Sequence, residues 1–120
     1  MNLFELTLRL SGFPISEAKE RLREIQNIPE NAYKTYVIDA RKRILEYHQK
    51  ENGFYRKFIG DTDISTWDQV PVMHKKDLQK PLNQRLSEGF NSKNSYINKT
   101  SGSSGHPLIF AKDKMCHALT

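Results

Sequence analysis

The sequence predicts an α+β chain. A mostly helical part over residues 1–94 is followed, over residues 95–120, by a β-hairpin and the start of a further helix. Three observations carry this reading. Apolar residues recur at three- and four-residue steps between Ala18 and Tyr47, the spacing of one helix face. Ser95-Tyr96-Ile97-Asn98-Lys99-Thr100 alternates apolar and polar with β-forming residues, and Pro107-Leu108-Ile109-Phe110 reads as a second short strand. Between them lies a hydroxyl-rich, glycine-punctuated stretch, Thr100-Ser101-Gly102-Ser103-Ser104-Gly105-His106-Pro107.

In chain order, Leu3, Phe4, Leu6, Leu8 and Leu10 suit a short helix or a strand equally, and Ser11-Gly12-Phe13-Pro14 breaks the element. Ser16 is the expected N-cap of the next helix, with Glu17 and Glu20 favouring its dipole. Ala18, Leu22 and Ile25 share one face of it, and it ends near Asn27. A longer helix starts near Pro29-Glu30. Its stripe of Tyr33, Val37, Ala40, Ile44 and Tyr47 is expected to pack in the core, while Arg41, Lys42 and Arg43 form a solvated face. Asn52-Gly53 would cap its C-terminus.

Phe54, Tyr55, Phe58 and Ile59 predict another amphipathic turn or two packed against that helix. Asp61-Thr62-Asp63 lacks the spaced oxygens of a calcium loop and reads as a surface turn. Ser65 to Gln69 is a capped turn with Trp67 as a packing anchor, Val70-Pro71-Val72-Met73 is extended, and Lys75 to Gln79 starts a short helix. Residues 81–94 are polar and cross the surface to reach the hairpin. Asp113 would cap a last helix running from Lys114.

The glycine-rich stretch has two readings. As composition it is a Gly/Ser linker. Between two strands it is a hairpin loop. Gly102 and Gly105 then supply positive φ, and exposed N–H groups with the hydroxyls of Thr100, Ser101, Ser103 and Ser104 make a concave anion site suited to phosphate. It is not a Walker-type loop, which needs a Gly-Lys step followed by Ser or Thr and a helix; here His106-Pro107 follow.

Thr100-Ser101-Gly102-Ser103-Ser104-Gly105, with Pro107-Leu108 behind it, resembles the phosphate-binding loop of the adenylate-forming superfamily, the acyl-CoA synthetases and their relatives. It is most similar to the phenylacetate–CoA ligase branch, which includes proteins linked to capsular polysaccharide synthesis. Trp67, the Val70-Pro71-Val72 step, the lysines at 75 and 76, and Phe54-Tyr55-Arg56-Lys57 follow that branch in order and spacing, so the resemblance covers about residues 30 to 111. Two positions depart from the pattern: His106 stands where Lys or another polar residue is frequent, and His74 where Thr is the usual cap.

The resemblance implies that the chain is the partial N-terminal domain of an ATP-dependent, AMP-forming ligase. A carboxylate attacks the α-phosphorus of ATP, pyrophosphate leaves, and a thiol, typically that of coenzyme A, takes the acyl group. Thr100, Ser101, Gly102, Ser103, Ser104 and Gly105 would grip the β- and γ-phosphates, with Mg²⁺ in the complete enzyme. No catalytic or metal-ligating residue is assigned within residues 1–120, because the family's adenine pocket, acyl pocket, acidic metal ligand and mobile lysine lie downstream. The chain alone is therefore expected to be inactive.

Composition bounds the alternatives. The 120 residues make at most one modest domain, and 37% hydrophobic content with a mean hydropathy of −0.72 predicts a small core. With no C-cap signal after Leu119, the chain reads as the N-terminal piece of a longer protein. A single cysteine, Cys116, permits no internal disulfide, and the apolar run of residues 1–10 is too short and too charged for a leader or a membrane span; the cytoplasm is the expected location.

The net charge of +5 admits a second class of function, a small basic helical module binding nucleic acid or an anionic surface through Arg41, Lys42, Arg43, Lys50, Arg56 and Lys57. No nucleic-acid motif accompanies these cations and acids are interspersed throughout, so nucleic acid is the weaker expectation. A third reading is an interaction domain in which the loop is only a turn. His48, His74, His106, His117 and Cys116 show no metal spacing. Cys116 and His117, about 100° apart on a helix, are no nucleophile pair, and no Gly-x-Ser-x-Gly elbow frames Ser103 or Ser104.

Overall fold

The leucine-rich start of the chain is helical, not extended. In the computed structural model, which describes residues 3–102, 105 and 107–120, α1 spans Leu3–Leu10. It stops in a Schellman turn. Phe13 N–H donates to the Leu8 carbonyl and Gly12 N–H to that of Arg9, with Gly12 at φ 77, a conformation glycine adopts without a Cβ penalty. α2 follows over Ile15–Gln26 and is held to α1 by a 2.6 Å pair between Lys19 and Glu5.

α2 begins one residue before the expected cap. Pro14 occupies the N-cap position without a side-chain bond, and Ser16 lies inside the helix. Burial explains the shift: Ile15 and Ala18 are the two buried residues of α2, and starting at Ile15 puts both on the inner face.

α3 is a rod of 22 residues, Glu30–Glu51, about 33 Å long at 1.5 Å per residue. None of its residues is buried. Of the expected apolar stripe, Val37 and Ala40 are half-buried, whereas Tyr33, Ile44 and Tyr47 remain exposed. Asn52-Gly53 does not form a left-handed C-cap. Asn52 is extended and serves as the N-cap of α4, Gly53–Ile59, its Oδ1 accepting from Tyr55 N–H at 2.8 Å.

Beyond α4 the chain is irregular. Trp67–Gln69 forms a short 3₁₀ turn whose start is closed by Gln69: its Oε1 accepts from Thr66 N–H and from the Ser65 and Thr66 hydroxyls, each at 3.0 Å. The helix expected over Lys75–Gln79 is reduced to overlapping turns. Asp77 takes the capping role there, its carboxylate accepting from His74 N–H at 2.8 Å. A second 3₁₀ turn covers Leu82–Gln84. Asn91 and Asn94 then bond the local backbone up to the hairpin.

β1 (Ser95–Lys99) pairs antiparallel with β2 (Ile109–Asp113), in register from Ser95↔Asp113 to Lys99↔Ile109. The second strand lies two residues later than Pro107 suggested, because Pro107 has no N–H to give to a ladder. Asp113 closes β2 and caps α5, Lys114–Ala118, accepting from Cys116 N–H at 2.7 Å.

α5 folds back on the hairpin and meets the start of the chain. The Tyr96 and His117 rings stack with centroids 3.6 Å apart, and Phe13 lies 5.1 Å from His117. Lys114 reaches the Ser11 carbonyl at 3.4 Å.

Among the described residues the buried apolar side chains are Ile15, Ala18, Ile59 and Ile64, a core as small as the composition predicts. The architecture is open in consequence. The radius of gyration is 16.7 Å, against about 13.6 Å for a compact chain of this length. The accessible surface is 9098 Å², against about 6,700 Å² for a compact monomer of this mass. Among the described residues no helix is long and apolar enough to cross a membrane.

Candidate functional site

The loop opens directly from the ladder, and Thr100 makes its neck. Thr100 N–H donates to the Leu108 carbonyl at 2.9 Å. In return Leu108 N–H donates to the Thr100 hydroxyl, not to its carbonyl, also at 2.9 Å. The Thr100 oxygen is thus an acceptor within the fold, while its own O–H proton stays available to an anion.

Gly102 is required twice over. Its φ is 65, and a Cβ placed on it would stand 3.0 Å from the nitrogen and 3.1 Å from the Cα of Pro107. The close pass of Pro107 behind Gly102 folds the loop back on itself. Gly105 has φ 88 and donates its N–H to the Gly102 carbonyl at 2.8 Å. That amide is engaged inside the loop, so Gly105 shapes it without presenting a donor. Ser101 is exposed. Ser103, Ser104 and His106 lie outside the described residues.

Two residues position this hairpin: Arg85, which no motif marks, and Asn52, expected only as a C-cap. Arg85 donates from Nη2 to the Ile109 carbonyl at 2.7 Å and from Nε to the Lys80 carbonyl at 2.8 Å. One planar guanidinium therefore pins the first residue of β2 to the crossing segment. Asn52, buried at the α3–α4 junction, donates from Nδ2 to the Arg85 carbonyl and to the Ser87 hydroxyl, each at 3.0 Å. Glu88 N–H adds a 2.7 Å bond to the Glu51 carbonyl. The chain of contacts runs from the long helix through Asn52 and Arg85 to the base of the loop. No motif betrays it: a buried asparagine at a helix junction looks in sequence like a C-cap, and Arg85 like one more surface cation.

A cleft of about 530 Å³ lies along this chain, lined among others by Tyr47, His48, Asn52, Arg85, Lys112 and Cys116. Burial pulls the His48 imidazole below its ordinary pKa. A larger cleft, about 740 Å³, lies between α3 and residues 62–67. Neither is lined by a described residue of the Thr100–Pro107 loop.

The cations of the basic-module reading are partly committed within the fold. Lys42 lies 3.8 Å from Glu46 and Lys50 3.3 Å from Glu51. Arg56 lies 3.8 Å from Glu88 and donates to the carbonyls of Gln49 and Lys50. These exposed pairs are weak, but they set an acid beside Lys42, Lys50 and Arg56. Cys116 is an exposed thiol. His117 Nδ1 is buried without a hydrogen-bond partner among the described residues, and its ring is occupied by the stack on Tyr96.

The chain matches no protein-family model, no characterised protein and no solved structure.

Proposed function

We propose that this chain contributes the phosphate-gripping hairpin of an ATP-dependent, AMP-forming acid–thiol ligase, with a small-molecule carboxylate and ATP as substrates and coenzyme A as acceptor. One observation supports it above the others: a hydroxyl-rich loop joins two antiparallel strands, and at Gly102 a positive φ and the close pass of Pro107 both favour glycine.

In this reading the loop acts on the leaving group. The hydroxyls of Thr100, Ser101, Ser103 and Ser104 donate to the β- and γ-phosphate oxygens. They hold pyrophosphate in line as the α-phosphorus is attacked by the substrate carboxylate, without a fixed charge that would retain it afterwards. Gly102 and Gly105 keep the backbone close enough for those donors to converge. Arg85 and Asn52 hold the hairpin that carries them.

The donor set fits phosphate and does not fit a metal. Thr100 to Gly105 contains no carboxylate, and Mg²⁺, which would neutralise charge on the phosphates, would be held by their oxygens and by residues outside this stretch.

The test is ATP–pyrophosphate exchange. The 120-residue chain alone should show none. In the longer protein that would carry it, Ser103→Ala slows adenylation about tenfold, the loss of one hydrogen bond to a charged group. Exchange by the chain alone, or an unchanged rate in that variant, contradicts the assignment.

A further inference from the structure

The larger cleft carries a second inference, independent of the loop. One stripe of α3, Ile38, Arg41, Leu45 and Gln49, recurs at helical spacing and faces the segment from Thr62 to Trp67. Ile64, one of the few buried residues among those described, lines the cleft together with Ile38 and Leu45. The floor is therefore apolar. At its rim the Arg41 guanidinium lies over the Trp67 ring, its carbon 4.9 Å from the ring centroid.

The other charges around the cleft are committed. Lys42 faces Glu46 on its own helix at 3.8 Å. Asp63 is turned into its own segment, accepting from Ser65 N–H at 2.9 Å and from the Ser65 hydroxyl at 3.3 Å. Arg41 differs: among the described residues no carbonyl or carboxylate accepts from it. Its flat fork of donors lies over an aromatic face, beside an apolar trough and open to solvent. A planar, bidentate acceptor is what such a fork matches, and a carboxylate is the commonest one. The trough is within the usual size range for a small-molecule site.

We propose that this cleft binds an amphipathic carboxylate, its apolar tail lying on Ile38, Leu45 and Ile64 and its head bridging the Arg41 donors beside Trp67.

The chain reports on this site directly, because Trp67 is its only tryptophan. The experiment titrates the full chain with octanoate, reading Trp67 emission and, in parallel, calorimetric heat. Octanol, with the tail and no charge, and acetate, with the charge and no tail, are the comparison ligands. The expected result is saturable binding of octanoate with a dissociation constant of about a millimolar or tighter. It should be at least tenfold tighter than either comparison ligand. Arg41→Gln weakens octanoate about tenfold or more, the loss of a charge-assisted bidentate contact, and leaves the weak binding of octanol unchanged. Among the described residues the Arg41 side chain makes no bond to the backbone, so circular dichroism of the variant should match that of the parent chain.

Four results overturn the proposal. They are no saturable signal in either readout, octanol binding as tightly as octanoate, acetate binding as tightly as octanoate, or full octanoate affinity in Arg41→Gln. Each leaves the phosphate-loop reading untouched, since none involves residues 100–107.

Discussion

The two ends of the molecule are built differently. At the hairpin end, α2, α5 and the β-ribbon are knitted by short-range devices: the Asp113 cap, the Thr100–Leu108 exchange, and the Tyr96–His117–Phe13 ring cluster. At the α3 end, a helix of 22 residues buries none of its side chains and meets α4 at its C-terminal end. Caps, stacked rings and the buried Ile15 and Ala18 hold the first; in the second, Tyr33, Ile44 and Tyr47 stay exposed. The lesson is that a periodic stripe states which face can be buried, and a cap or a forced glycine states what the backbone does. Asn52 joins the two ends, and it is the place where the contrast can be broken.

The largest expected effect is there. Asn52→Ala leaves the Tyr55 N–H, the Arg85 carbonyl and the Ser87 hydroxyl without their partner, and should cost about 2–3 kcal/mol. Urea unfolding checks it, and a loss under about 1 kcal/mol, the scale of a single surface contact, would deny Asn52 its joining role.

Next comes Gly102→Ala, which meets both a positive φ and the Pro107 backbone, and should cost about 2 kcal/mol. Gly105→Ala meets only the positive φ, with no described atom within 4 Å of its Cβ, and should cost about 1 kcal/mol. Equal losses in the two variants would remove Pro107 from the account.

Smaller again is a pH effect at the α3 end. Burial lowers the His48 pKa in the folded state, so the unfolded chain binds more protons below about pH 6.5. Stability should therefore fall as pH drops through that window, and this group should have no influence above it. His48→Phe should flatten the slope in a series of thermal melts; an unchanged slope assigns the effect to other groups. The smallest effect is Lys42→Ala, which breaks an exposed i,i+4 pair and should change stability by less than about 0.5 kcal/mol.

These contrasts also divide what the sequence disclosed from what it withheld. The helical region and the hairpin were legible because their signals are local: helical spacing between Ala18 and Tyr47, alternation over residues 95–100, and Asp113 ahead of a helix. The Ser16 cap was misplaced because the burial of Ile15 outweighed one side-chain bond. Asn52-Gly53 was legible as a helix end but not as the start of α4, since the Asn52 partners lie 33 and 35 residues away. Tyr33, Ile44 and Tyr47 are exposed because a stripe does not specify its cover. Trp67, expected as a packing anchor, is 44% exposed under Arg41, a contact between segments that no local pattern encodes. In the loop, the need for glycine at 102 was legible, and the role of Thr100 as its neck was not.

The measurement that bears most directly on the central claim is an amide-resolved titration of the chain with Mg²⁺–ATP by NMR. The account predicts saturable shifts confined to residues 99–109, centred on Thr100 to Gly105, and lost in Gly102→Ala while the β1–β2 ladder signals persist. Saturation elsewhere with an unmoved loop, or a loop that ATP leaves unchanged at every concentration, would contradict it.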